Sequence, residues 1–263
     1  MADNFPSADE IAQYRTTRAD AAVFCYDSVG STNDVARELA LKNACSGTIV
    51  ASRSQQSGRG RRGHSFFSPY GGIYMSVVLR PPSLVESSAL ITPAAAVAGS
   101  RAIEKVSGKR VRIKWVNDIF IEGKKVCGIL AESGESSCGA FAILGVGVNV
   151  SMPRGGFPDE IADIAGALFA HGDEAPDTRA RLIAEIADGL CEMCEEPDIT
   201  DFLDEYRVRA LLLGEQIDVI ASDGVRRRAR AIEIDDLCRL VAEYPNGERE
   251  ALCAGEVSAR RAP

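Results

Sequence analysis

Lys114-Trp115-Val116-Asn117-Asp118-Ile119-Phe120-Ile121-Glu122-Gly123-Lys124-Lys125-Val126-Cys127-Gly128-Ile129-Leu130-Ala131-Glu132 holds two β-prone runs that fold back on each other across a Gly-Lys turn. A further apolar run at 111–115 enters it through a tight corner at Val116-Asn117-Asp118. After a Gly/Ser-rich turn, residues 141–150 supply another buried strand. Strands that follow one another through short turns predict an antiparallel or mixed sheet, not a series of βαβ units. Upstream, Ile73-Tyr74-Met75-Ser76-Val77-Val78-Leu79 reads as a strand after the turn at Ser68-Pro69-Tyr70-Gly71-Gly72. Shorter β-prone runs lie at 48–51 and 22–26.

Helices are expected in between. A short one begins near Ser7, and Ser31 or Thr32 can cap a second whose apolar face is Val35, Ala36, Leu39 and Ala40. Thr92-Pro93 reads as the start of a third, ending at Gly108. Two more are predicted at 178–195 and 200–212. Past Gly214 the pattern changes to short β-like runs, with turn signals at Ser222-Asp223-Gly224 and Pro245-Asn246-Gly247. This predicts a main domain over 1–212 and a small β-barrel over 213–263.

The composition narrows the function classes. The 263 residues carry a formal charge of −8, with 46% hydrophobic and 26% charged residues, as expected for a soluble globular protein. No apolar run approaches the ~18 residues needed to span a bilayer. The N-terminus has acids where a signal peptide needs bases, so a cytoplasmic protein with no membrane association is expected. The eight cysteines are scattered through segments that read as strands and helices, which predicts reduced thiols filling apolar positions. Cys191 and Cys194 form a C-x-x-C inside an amphipathic helical pattern, away from any strand-to-helix junction.

One segment stands apart. Ser54-Gln55-Gln56-Ser57-Gly58-Arg59-Gly60-Arg61-Arg62-Gly63 sets three arginines among glycines, and no Asp or Glu occurs from Leu39 to Val85. Such a loop cannot pack a core, and guanidinium groups fork onto carboxylate or phosphate. The expectation is a mobile, locally positive loop that an anion orders, with a small anion or nucleic acid as its ligand. It lacks the closing Gly-Lys-Ser/Thr of a phosphate-binding P-loop. Lys125 opens a strand across a turn from Asn117-Asp118. It is either a solvated turn lysine or a cation aimed along the sheet end. Asp118 can hold Mg²⁺ or a ribose, or simply form a turn. Gly145, Gly147 and Asn149 mark a strand that something approaches closely. With only two histidines, His64 and His171, acid–base catalysis by histidine is not expected. Cations, amides and glycines instead suit nucleotidyl or phosphoryl transfer run by positioning and charge.

Four stretches resemble one family in order and spacing. They are Ser31-Thr32-Asn33, the loop from Gln55 through GRGRRG, Lys114 to Ile119, and Lys124 to Leu130 followed by Gly145 to Val150. Together they are similar to biotin protein ligases, strongly over 27–150 and more weakly through the tail. The resemblance implies an α+β, class-II-synthetase-like catalytic domain with helices packed on a mixed or antiparallel sheet. It also implies an SH3-like C-terminal domain. The implied chemistry joins biotin and ATP to biotinyl-5′-AMP and then moves biotin to a lysine of a carboxylase carrier domain. By the same resemblance, Ser31, Thr32, Asn33 and Gln55 bind biotin's ureido head or lie beside it. Arg59, Gly60 and Arg61 close over the acyl chain and phosphate, Lys125 touches the reacting carboxylate and α-phosphate, and Gly128 borders biotin. Asn117, Asp118 and Asn149 face ATP or its Mg²⁺.

The chain departs from the family pattern at Val116, which replaces a proline, and at His64 and Phe66, which replace a base and a tryptophan. Phe66 keeps an aromatic face but loses an indole N–H. About thirty residues precede the first motif, too few for a DNA-binding winged helix, so no DNA partner is expected. An exposed strand edge offers one route to a homodimer. Two other readings compete: a lipoate or octanoate ligase or transferase on a related fold, and an RNA-binding module built on the Gly-Arg loop.

Overall fold

The computed structural model describes residues 5–81, 84–194, 200–221, 224–253 and 257–261. Seven strands form one mixed sheet: β1 (Val23–Tyr26), β2 (Ile49–Ser52), β3 (Ile73–Leu79), β4 (Arg112–Lys114), β5 (Asp118–Ile121), β6 (Lys124–Ser136) and β7 (Gly139–Val148). Their order is β1-β2-β3-β7-β6-β5-β4, antiparallel throughout except for β1 beside β2. That exception corrects the expectation of no βαβ unit. Helix α2 (Thr32–Leu41) carries the chain back so that Val23 to Tyr26 run parallel to Ile49 to Ser52.

Period-2 alternation divides the sheet's two faces. Ile73, Met75, Val77 and Leu79 of β3, with Ala142, Leu144, Val146 and Val148 of β7, belong to the main core. Helices α3 (Leu84–Ser107) and α5 (Thr178–Cys194) cover that face. The intervening positions Val78, Phe141 and Ile143 pack with Val50 against Ala36 and Ala40 of α2 in a separate cluster. Continuing down that second face, β3 presents Ser76 and Tyr74 while β7 presents Gly145 and Gly147 as their register partners.

Helix α3 starts at Leu84, well before the expected Thr92-Pro93. Pro93 removes the N–H that would bond the Ala89 carbonyl. Ala89 is on the exposed side, and burial of Leu90, Ile91 and Ala94 to Ala98 holds the helix together across the proline. The last helix before the tail is α6 (Leu203–Arg209), shorter than predicted, and Glu195 lies outside the described residues. Cys191 and Cys194 are buried in the main core. After β7, a short helix α4 (Asp159–Ala162) appears where no element was predicted.

The tail forms a separate five-stranded antiparallel sheet, the SH3-like part of the molecule. Its strands are β8 (Gln216–Ala221), β9 (Arg226–Ile234), β10 (Leu240–Glu243), β11 (Arg249–Leu252) and β12 (Val257–Arg261), in the order β11-β10-β9-β8-β12. The Asn246-Gly247 hairpin joins β10 to β11 as expected. Ser222 and Asp223 of the other predicted turn lie outside the described residues.

The N-terminal segment is tied down by charge. Helix α1 (Ala8–Ala12) has a capping box between Ser7 and Glu10. Just beyond it, Arg15 Nε meets Asp188 Oδ1 at 2.5 Å, and Asp188 also accepts from the Thr16 amide and the hydroxyls of Thr16 and Thr17. Burial pushes the Asp188 carboxyl up, but the Thr16 amide, Arg15 and the Thr16 hydroxyl together hold it below its ordinary value. The folded value is therefore depressed. Stability from this site is complete above the ordinary carboxylate range and is lost as pH falls through the lower folded value. Asp188→Ala strands the buried Arg15 and should cost about 3 kcal/mol at neutral pH. Urea titrations at neutral and acid pH check this, and the gap between the proteins should shrink on acidification.

Candidate active site

Every candidate residue named from the sequence lines a single cleft of about 460 Å³ on the α2 side of the sheet. Its floor is strand backbone. Gly128 of β6 and Gly147 of β7 are register partners, as are Leu130 and Gly145. A Cβ on Gly145 would lie 2.2 Å from Asn33 Oδ1, and one on Gly147 would lie 2.5 Å from the Phe66 ring. The close approach expected at these glycines is thus made by two of the protein's own side chains.

Over Gly145 lies a polar cluster. Ser31, Thr32 and Asn33, where β1 hands over to α2, are all buried. Ser31 occupies the N-cap position but makes no side-chain cap bond. Gln55 caps instead: its Oε1 accepts from the Thr32 amide at 2.9 Å and from the Thr32 hydroxyl at 3.2 Å. Gln55 is held in turn by Ser68 Oγ at 3.1 Å. Ser76 sits beneath, 2.8 Å from Thr32 Oγ1 and 2.6 Å from Asn33 Oδ1.

Two residues along the strands, about 7 Å away, the cleft becomes cationic. Lys125 Nζ is 2.6 Å from Asp118 Oδ1 and 5.7 Å from the centre of the Phe66 ring. The Lys125 backbone is fixed from both sides, since its N–H donates to the Ile164 carbonyl and its carbonyl accepts from Gly166. Arg61 Nη1 donates to Asn117 Oδ1 at 3.2 Å, while Asn117 Nδ2 donates to the Ile129 carbonyl. Burial lowers the Arg61 proton affinity, and Asp118 partly restores it. Asn149 lines the cleft with its amide nitrogen bonded to the Gly166 carbonyl.

The arginine loop folds back on itself over these groups. Gly60 N–H donates to the His64 carbonyl and Phe66 N–H to the Gly58 carbonyl. Acids from outside the acid-free stretch reach it. Arg59 Nη2 lies 2.7 Å from Asp34 Oδ1 and 3.2 Å from Glu132 Oε2. The loop is therefore anchored by α2 and β6, where the sequence alone predicted a free segment. Arg62 is exposed and adopts positive φ.

Sequence reasoning missed three contributors. Ser76 is the one serine in the fully buried run of β3, a signal that was there to be seen. Glu132 stands two positions beyond Leu130 on β6 and accepts from Asn33 Nδ2 at 2.7 Å. Phe157, Ile161 and Ile164 repeat at helical spacing and wall the cleft mouth.

Fold and cleft together define the class: an α+β domain whose mixed sheet carries a polar pocket and a cation-rimmed cleft under an arginine loop. The model of the Biotin/lipoate A/B protein ligase family matches residues 25–149. The bifunctional ligase/repressor BirA of Bacillus subtilis is 35% identical over 238 residues, 87% of this chain and 71% of that protein. A biotin–[acetyl-CoA-carboxylase] ligase of Paracoccus denitrificans is 33% identical, over 86% of this chain and 96% of that one. In fold, the chain is similar to a biotin protein ligase from Aquifex aeolicus solved with biotin and ATP (TM-score 0.75, 23% identity, 92% of this chain and 99% of that one). The chain belongs to the Biotin/lipoate A/B protein ligase family, among its biotin protein ligases.

The packing of the lid on the glycine floor is open to direct test. Gly147→Ala forces the Phe66 ring off the sheet at a cost of about 1–3 kcal/mol. Limited trypsin digestion at Arg59, Arg61 and Arg62 should speed up several-fold, with the far-ultraviolet circular dichroism unchanged.

Proposed function

We propose that the protein activates biotin with ATP as biotinyl-5′-AMP, releasing pyrophosphate, and then transfers the biotinyl group to a lysine of a carboxylase's biotin carrier domain. One observation carries the reading: a buried polar pocket and a cation pair share one glycine floor, at the spacing of a ligand with a polar head and a carboxylate tail. Residues 1–212 form the catalytic unit in this reading, and 213–263 the appended SH3-like unit.

In the first step a carboxylate oxygen attacks the α-phosphorus, the new C–O–P link forms, and the bond to the β-phosphate oxygen breaks. A carboxylate is already ionised at neutral pH, so no general base is needed. The obstacle is repulsion. Two unit charges at about 4 Å oppose each other by about 4 kcal/mol at the effective dielectric near a protein surface. In this reading Lys125, whose ammonium contacts Asp118 at 2.6 Å, turns toward the reacting oxygens to offset this, and Arg61 takes the phosphate. In the second step the acceptor lysine, as a neutral amine, attacks the acyl carbon, and AMP leaves with the bonding pair. The folded-back loop over the cleft shields the mixed anhydride from water.

Magnesium fits as a companion of the nucleotide. Among the described residues no three carboxylates, histidines or cysteines cluster as a protein-made cage. Among the described residues Asp118 is the one carboxylate that lines the cleft, which suits an ion bound mostly by phosphates and water. Bound there, it supplies positive charge to the phosphate oxygens. The alkyl or dithiolane head of a lipoate or octanoate substrate would add no polar partner to the largely buried Thr32, Asn33 and Gln55 cluster.

Biotin-dependent exchange of labelled pyrophosphate into ATP tests the activation step. Lys125→Ala should lower it at least about 100-fold with the melting temperature unchanged. Salt-sensitive RNA binding without exchange would favour the RNA-binding reading instead. Arg61→Ala should still form the adenylate but lose it to solvent. Rapid gel filtration should recover less biotinyl-AMP with the variant than with the parent, and equal recovery would count against the shielding role.

A further inference from the structure

We propose that Glu132 is a positioning residue that fixes the hydrogen-bond polarity of the polar pocket, so that it selects ligands offering N–H donors, as a cyclic urea does. The inference deepens the function proposed above and rests on it.

The argument starts from what each group can do. A carboxylate only accepts hydrogen bonds. Asn33 Nδ2 lies 2.7 Å from Glu132 Oε2, so the amide must turn its NH₂ to Glu132 and its Oδ1 to Ser76, 2.6 Å away. Ser76 has a single hydroxyl hydrogen. Once that hydrogen goes to Asn33, Ser76 can only accept from Thr32 Oγ1, 2.8 Å away.

The far end of the network is fixed independently. Ser68 Oγ donates to the Phe66 carbonyl at 2.8 Å, so it accepts from Gln55 Nε2. Gln55 Oε1 then faces Thr32, within reach of both its amide and its hydroxyl. The one hydrogen of Thr32 is therefore spent inside the network, on Ser76 or on Gln55. What Thr32 offers the cleft is a lone pair. A ligand head with N–H groups satisfies it, and an alkyl or dithiolane head leaves a buried acceptor unpaired.

Glu132 is itself held in place. Arg59 donates to it at 3.2 Å while binding Asp34 with two contacts, at 2.7 and 3.0 Å. The lid arginine thus steadies the residue that orients the pocket, and Glu132 touches no ligand position itself among the residues lining the cleft.

Glu132→Gln keeps the shape but can donate as well as accept, so Asn33 loses its fixed orientation. In biotin-dependent pyrophosphate exchange, the KM for biotin should rise about tenfold, with kcat and the KM for ATP changing less than about threefold. Glu132→Ala should raise it at least as far. Combined with Asn33→Ala it should add little, because both changes act through the same amide. A Glu132→Gln protein with the parent KM for biotin overturns the proposal. Equal rises in the KM for biotin and ATP, or fully additive effects with Asn33→Ala, do so as well. Failure of the unmodified protein to catalyse exchange would instead remove the functional reading beneath it.

Discussion

Because Gly128, Gly145 and Gly147 carry no Cβ on the face of the sheet opposite the main core, side chains from α2 and from the arginine loop rest directly on strand backbone. Asn33 takes the space above Gly145, and Phe66 the space above Gly147 and Gly128. Tyr74 then meets Phe66 edge-on, at 6.3 Å between ring centres. The pocket is consequently made by secondary structure whose other face is fully buried in the core. Positions set this way move little, which is what a reaction run by placement and charge requires.

The corner that carries Asn117 and Asp118 is braced from α6 and from the second sheet. Tyr206 of α6 donates its hydroxyl to the Val116 carbonyl at 3.2 Å. From the SH3-like sheet, the turn between β9 and β10 supplies the Cys238 carbonyl to Trp115 Nε1 at 2.9 Å. Arg207 ties the same region to α6 through the Ile234 carbonyl and Asp236. The Trp115–Val116 peptide is cis. Arg61 and the β6 backbone hold Asn117 at its other end, so the corner has contacts on every side. The tail therefore supports the wall of the cleft through backbone acceptors, which depend on fold more than on side-chain identity.

Local rules recovered much of this. The apolar runs at 73–79 and 141–150, bounded by turn residues, marked buried strands, and Gly123 marked the β5–β6 turn. The motifs that drew attention as loops came together because they sit at one end of neighbouring strands. What stayed hidden depends on tertiary contact. Thr92-Pro93 carries every local sign of a helix start, yet packing of Ala94 to Ala98 carries α3 straight through it. The parallel pairing of β1 with β2 is decided by where α2 lies, and no local pattern encodes that. Ser31 had the right chemistry for a cap, but Gln55, distant in sequence, took the role. Glu132 looked like any polar residue near the middle of a long strand, and its importance appears only when Asn33 and Arg59 are seen to converge on it.

Charge shows the same limit most clearly. Along the chain, the stretch from Leu39 to Val85 has no acid, which argues for an unbalanced positive loop. In space, Asp34 lies just before that stretch and Glu132 far beyond it, and both meet Arg59. Arg59 is thereby committed to holding the loop, with three contacts to carboxylate oxygens. Arg61 differs in that it donates to the neutral amide oxygen of Asn117, beside the Asp118–Lys125 ion pair. An incoming anion would have to break an ion pair to engage Arg59. Two arginines of one glycine loop thus differ in setting, one fastening the lid on two carboxylates and the other reaching the Asn117 corner of the cleft.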